Sequence, residues 1–119
     1  MNRQKLRWGV VLFVLSIPAV RAAEGPWQTP VDIEFTARID GTPQRYVLML
    51  PVAFNAATPV DVVVALHGHG SDRWQFIRDP RGECSGMRDA AARYGMIFVS
   101  PDYRAKTSWM GPKAEADVL

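Results

Sequence analysis

From Asp32 to Ile39 (DIEFTARI) apolar and polar residues alternate, with Ile33, Phe35, Ala37 and Ile39 on one face and Asp32, Glu34, Thr36 and Arg38 on the other. A period of two predicts a half-buried strand. Asp40-Gly41-Thr42-Pro43 follows as a turn, with Gly41 free to take a positive φ. Arg45 to Leu50 (RYVLML) predicts a second strand, ended by Pro51, and the two form an antiparallel hairpin. Val60 to Leu66 (VDVVVAL) is a nearly unbroken apolar run rich in β-branched residues. Such a run predicts a strand buried on both faces, the habit of a parallel sheet covered by helices.

After this run come His67-Gly68-His69-Gly70 and a polar loop to about Glu83. Ser85 to Tyr94 (SGMRDAAARY) predicts a short helix, with Met87, Ala90, Ala91 and Tyr94 on one stripe and Arg88, Asp89 and Arg93 largely outside it. Gly95 stands where a C-terminal cap belongs. Met96 to Val99 is a fourth, wholly apolar strand, and Tyr103 to Gly111 reads as loop. Pro112 to Leu119 begins another helix, Pro112 being suited to its first turn. The order is hairpin, buried strand, helix, buried strand, helix. It predicts an α/β fold in which antiparallel strands give way to parallel strands with crossover helices. The last helix stops about two turns in without a cap, so the sheet is expected to be incomplete.

The first 22 residues follow a different pattern. Arg3, Lys5 and Arg7 precede an apolar stretch from Trp8 to Ile17, Pro18 breaks it, and Val20-Arg21-Ala22 places short residues before a cut after Ala22. This is the pattern of a secretory signal peptide. A stable membrane anchor is not expected, because a span needs about 20 apolar residues and Pro18 and Arg21 interrupt this one early. Residues 23–31 read as a Pro/Gly-punctuated linker, and 32–119 as the folded part. Export to the periplasm or the extracellular space follows.

Composition narrows the function classes. The formal charge of +2 is misleading, because Arg3, Lys5, Arg7 and Arg21 supply four of the 14 basic residues. Beyond residue 22, ten basic residues face 12 acidic ones, a net charge of −2, which argues against nucleic-acid binding. Export would permit disulfides, but Cys84 has no partner among these 119 residues.

The chemistry concentrates at His67-Gly68-His69-Gly70. Acyl transfer builds negative charge on a carbonyl oxygen, and preorganised backbone N–H groups meet it. Two glycines at the end of a buried strand let the backbone turn sharply and approach a substrate closely. Leu66 to Gly70 resembles the His-Gly-x-Gly oxyanion loop of the α/β-hydrolase superfamily, which follows that fold's third strand. Phe98 to Arg104 (FVSPDYR) is similar to its fourth strand and exit. Within the superfamily the sequence looks like secreted esterases of the polyhydroxyalkanoate depolymerase and feruloyl esterase type, with prolyl-oligopeptidase-like catalytic domains next.

The resemblance covers roughly residues 32 to 119. It implies the N-terminal part of an α/β-hydrolase sheet, a small-molecule or polymeric ester substrate (a peptide as the alternative), and no cofactor. It assigns His67, Gly68, His69 and Gly70 to the oxyanion hole, with the N–H of His69 or Gly70 as donor. It also implies that the fourth strand lies between the second and third, leaving Val60 to Leu66 as an apolar sheet edge.

The superfamily's Gly-x-Ser-x-Gly is absent, and the only histidines are His67 and His69, so the catalytic triad is expected beyond Leu119. A non-catalytic exported binding module on a hydrolase frame is the rival from another class.

Other motifs have plainer explanations. Gly82-Glu83-Cys84-Ser85-Gly86 fits a cysteine elbow, but Arg78-Asp79-Pro80-Arg81 before it is no buried strand, so Cys84 is expected to pack at a helix start. Gly68-His69-Gly70-Ser71-Asp72-Arg73 lacks the third glycine of a dinucleotide fingerprint. His67 and His69 have no evident third ligand, so no metal is expected. Trp74, Phe76 and Trp109 either wall a substrate or pack their loops. Asp102 either orients a partner in the cleft or caps the Tyr103–Arg104 turn.

Overall fold

A computed structural model describes residues 25–104 and 110–119. The signal-peptide reading of residues 1–22 and the side chain of Trp109 lie outside the described residues. The elements are β1 (Val31–Thr36), β2 (Pro43–Met49), β3 (Val62–Val64), α1 (Gln75–Arg78), α2 (Gly82–Arg93), β4 (Ile97–Pro101) and α3 (Pro112–Val118). They build one four-stranded sheet in the order β1-β2-β4-β3. β1 and β2 pair antiparallel, β2 and β4 pair antiparallel, and β3 runs parallel to β4. The fourth strand therefore sits between the second and third, as the resemblance implies.

The hairpin forms where alternation places it, but β1 ends three residues earlier than the pattern predicts. Ala37 is already in the turn, its N–H donating to the Thr42 carbonyl and its carbonyl accepting from Gly41 N–H. Gly41 takes φ 71°, and Ile39, expected on the buried face, is about half exposed. Residues 25–31 are fastened to the sheet. Trp27 bridges to Pro51, Gln28 N–H donates to the Leu50 carbonyl, and the Trp27 ring meets Phe98 edge-on at 6.1 Å.

The core lies on one face of the sheet, where Met49, Ala65 and Phe98 meet Ala91 of α2, with Trp27, Val63, Phe76, Ile77, Met87 and Met96 packed around them. α2 starts three residues before the expected Ser85, and its buried stripe is Cys84 and Ala91 with Met87 alongside. Ala90 and Tyr94 face solvent instead, Tyr94 being 70% exposed. Cys84, Met87 and Ala91 are spaced three and four apart and so share one face of the helix. Gly95 ends the helix at φ 66°, with Gly95 N–H on the Ala92 carbonyl and Met96 N–H on the Ala91 carbonyl, which satisfies two of the helix's last carbonyls. Gly82 to Gly86 are all helical, and Cys84 is fully buried, its thiol pKa raised chiefly by that burial. No nucleophile elbow forms there.

β3 departs most from expectation. Only Val62 to Val64 is ladder-paired, and only one face is covered. Ala65 and His67 are buried, whereas Val62, Val64 and Leu66 are 54%, 39% and 40% exposed. A run that reads as buried on both faces is thus buried on one. Within the described residues β4 is its single neighbouring strand, and α3 contributes Asp117 and Val118 to a groove on the other sheet face. That face carries an apolar groove of about 410 Å³ lined by Phe35, Tyr46, Leu48, Val64, Val99 and Val118.

A charged strap joins the hairpin to the loop after β3. Arg73 grips Asp32 through Nε and Nη2 at 2.9 and 2.7 Å, and Arg45 adds a contact to Asp32 at 3.2 Å. The paired geometry suits a planar guanidinium. The Arg73 hydrogen bond holds the Asp32 carboxyl at about 2, below its ordinary 3.8.

An exposed apolar edge templates self-association, so Val62→Lys or Val64→Lys is expected to lower aggregation of the 119-residue chain and its binding of a hydrophobic dye, measured by light scattering and fluorescence. Because the folded-state pKa of Asp32 is depressed, its contribution is complete above about pH 4 and is lost as pH falls through about 2. Asp32 is a quarter exposed, and after solvent screening the effect is on the order of 1 kcal/mol. Asp32→Asn is expected to flatten the urea midpoint over that pH range and to lower it at neutral pH.

Candidate functional site

β3 and β4 are parallel, so both chains leave the sheet at the same end, and the His67–Gly70 and Asp102–Arg104 exits lie side by side. Ala65 N–H still pairs with the Val99 carbonyl, and the buried Ser100 hydroxyl donates to the Ala65 carbonyl at 3.2 Å. Beyond that point the backbone bends. Ser71 N–H donates to the Gly68 carbonyl at 3.1 Å, closing a four-residue turn whose third residue, Gly70, takes φ 78°. Only Gly70 needs to be glycine for conformational reasons. At Gly68 a Cβ would meet nothing closer than the Gln75 side chain at 3.6 Å, an ordinary contact.

His67 is buried, and both ring nitrogens face carbonyl oxygens, Nδ1 toward Gly68 at 2.9 Å and Nε2 toward Asp102 at 3.1 Å. A neutral imidazole donates to one of these and an imidazolium to both. The ring also lies 4.6 Å from that of Tyr103, whose hydroxyl donates to the His67 carbonyl. Burial raises the Tyr103 pKa and keeps it a donor. His67 is therefore a buried brace between the two exits. Among the described residues no cluster of His, Cys, Asp or Glu could hold a metal ion.

Gly68 N–H donates to Gln75 Oε1 at 2.7 Å, and Arg73 N–H donates to Asp102 Oδ1 at 2.9 Å. Among the described residues no hydrogen bond engages the N–H of His69 or of Gly70. Both residues are exposed and line an open groove of about 680 Å³ with Gly68, Trp74, Gln75 and Arg78. The turn can thus present two adjacent backbone donors to an oxygen lying in the groove.

Trp74 lines this groove, with the Arg78 guanidinium 3.9 Å from its ring centroid, a cation–π stack. Phe76 instead packs against the core. Trp109, the other aromatic expected here, lies outside the described residues. Asp102 does not cap the Tyr103–Arg104 turn: Oδ1 accepts from Arg73 N–H and Oδ2 from Arg73 Nη1 at 2.9 Å. Tyr103 and Arg104 take φ 35° and 58°, unfavourable for residues with a side chain. The surrounding bonds hold them there. Tyr103 reaches His67, and Arg104 reaches Asp117 of α3 and Asp40 of the hairpin turn. Asp117 foremost, then Asp40, raises the Arg104 pKa, and Arg104 in turn drives the Asp40 carboxyl far down.

Four participants escape a reading of sequence alone: Arg73, Gln75, Tyr103 and Arg88. A four-residue helix, α1, forms where a loop is expected. Just before it Asp72 Oδ1 accepts from Trp74 N–H at 2.8 Å, and at its other end Arg88 Nη1 donates to the Phe76 and Asp79 carbonyls. Arg88, expected largely outside the buried stripe of α2, is turned inward to close that end. The one local signal is Asp72 two residues before Trp74, an Asx-turn pattern. Arg73 and Gln75 act across the fold, which no local spacing reveals.

No family model matches the chain, and no curated protein matches its sequence. Solved structures do resemble it. A CE1 ferulic acid esterase, AmCE1/Fae1A, from Anaeromyces mucronatus matches with a TM-score of 0.54 and 19% identity, covering 79% of this chain and 38% of that one. FphF, a fluorophosphonate-binding serine hydrolase of Staphylococcus aureus, matches with a TM-score of 0.50 and 21% identity, covering 66% of this chain and 31% of that one. The chain thus spans well under half the length of either protein. At this identity the likeness is one of fold: the described residues form an incomplete α/β-hydrolase sheet, with the hairpin, the parallel pair and the crossover helix of that fold.

Proposed function

We propose that this chain supplies the oxyanion loop of an exported serine hydrolase, most simply a carboxylic-ester hydrolase, with the catalytic triad contributed by sequence following Leu119. The observation that carries the reading is the turn itself. It follows a parallel strand at the end where α/β folds bind ligands, its flanks are held, and His69 and Gly70, whose N–H groups no described hydrogen bond engages, line a groove. A tetrahedral intermediate formed in that groove would place its oxyanion against one of these donors. A well-placed donor is worth on the order of 3 kcal/mol in the transition state. The N-terminal 22 residues support export, and the esterase and serine-hydrolase neighbours support the reaction class.

Trp74, stacked under Arg78, forms part of the groove wall in this reading, suited to an acyl or aryl group. Asp102 acts through Arg73 rather than on the substrate, because both carboxylate oxygens are already engaged.

Continuation of the reading frame past the Leu119 codon into an apolar strand and Gly-x-Ser-x-Gly is expected, and an immediate stop codon would favour the non-catalytic module. In the full-length polypeptide, hydrolysis of p-nitrophenyl esters is expected. Gly70→Val should lower kcat by on the order of a hundredfold, because valine disfavours the left-handed backbone at φ 78°. Gly68→Ala, with ordinary space at its Cβ, should cost far less. Equal activity in the Gly70→Val variant and the parent protein would remove the turn from the mechanism.

A further inference from the structure

The segment from His67 to Arg73 leaves and rejoins the body of the fold at one residue. At its start, His67 Nε2 faces the main-chain carbonyl of Asp102 at 3.1 Å; at its end, Arg73 N–H and Nη1 donate to the Asp102 carboxylate, each at 2.9 Å. Asp102 is itself fixed to the sheet, its N–H donating to the Arg45 carbonyl at 3.0 Å. Arg73 is held a second time by its fork on Asp32. Its charge is therefore shared between two carboxylates, and its side chain is only 17% exposed.

We propose that Asp102 is the positioning residue for the 68–71 turn: one residue clasps both ends of the loop, by its carbonyl on one side and its carboxylate on the other, and so sets the direction of the His69 and Gly70 N–H groups. The purpose of that direction rests on the hydrolase reading; the clasp does not. Donors aimed at a developing charge are useful only if they need no reorganisation when the charge appears, and an exposed loop with two loose ends would need it. With its ends at the same point and the His67 proton on Nε2, the loop cannot splay without breaking at least one of these bonds. Gln75 Oε1 on Gly68 N–H adds a third point, which leaves the His69 and Gly70 amides between fixed flanks.

The clasp divides into parts that substitution separates. Asp102→Ala removes the carboxylate and keeps the carbonyl. Asp102→Asn keeps an oxygen able to accept from Arg73 N–H and loses the ion pair. Arg73→Met loses the guanidinium and keeps the amide. Hydrogen exchange, read residue by residue by NMR on the full-length polypeptide, reports the turn through the Ser71 N–H, which closes it.

In Asp102→Ala the Ser71 amide is expected to exchange at least about tenfold faster, while amides of the β2–β4 ladder keep their parent rates. Asp102→Asn should recover part of that protection, as a purely space-filling role for Asp102 would not require. Unchanged Ser71 exchange in Asp102→Ala, with only the Arg73 amide accelerated, would overturn the proposal. If Asp102→Ala loosens the whole sheet, Arg73→Met decides: faster Ser71 exchange against an intact ladder supports the clasp, and parent-like Ser71 exchange overturns it. Ester hydrolysis measured on the same samples separates the two readings. A parent protein without activity ends the hydrolase reading, whereas the exchange result alone decides the clasp.

Discussion

Everything in the described structure depends on β4 pairing along both of its edges. On one side it is antiparallel to β2, and on the other parallel to β3. The hairpin and the βαβ unit are separate local products of the chain, and β4 makes them one sheet. Phe98, the second residue of this strand, is fully buried against Met49, Ala65, Ala91 and Trp27, so the strand that joins the two halves also fills the core between them. The parallel pairing also dictates where the chemistry can lie. Both strands point the same way, and the exits of β3 and β4 emerge together without any long-range design beyond the ladder.

That proximity is then consolidated by polar groups. Tyr103, Asp102 and Arg104 leave β4 and at once engage His67, Arg73, Asp40 and Asp117. Two residues with side chains sit in the left-handed region to achieve this, a cost of order 1–3 kcal/mol each, and it is offset by charge-assisted bonds on half-buried groups. The cost falls beside the turn, while the turn itself uses glycine where its backbone demands it. This division leaves the 68–71 segment unstrained and held from outside.

The opposite sheet face differs. Phe35, Tyr46, Leu48, Val64 and Val99 line a groove to which α3 adds Asp117 and Val118, and β3 has a single neighbouring strand among the described residues. A sheet of this kind has one finished face and one open one. The same incompleteness explains why Val62, Val64 and Leu66 carry the composition of a doubly buried strand yet lie in solvent here. Their pattern encodes an environment that these residues alone do not supply.

Period-two alternation located the hairpin, apolar runs located β3 and β4, and Gly95 marked the end of α2, because each signal is local and acts over one element's length. His67 to Gly70 could likewise be recognised as a turn after a strand, since glycine's freedom is a property of single residues. Tertiary structure decided the rest. It shortened β3 to three paired residues, rotated α2 so that Cys84 and Arg88 face inward, formed α1, and turned Asp102 from its own loop to Arg73. Arg88 reaches Phe76 and Asp79, 12 and 9 positions away, and Asp102 reaches Arg73, 29 positions away, contacts that exist only once the fold has brought those segments together.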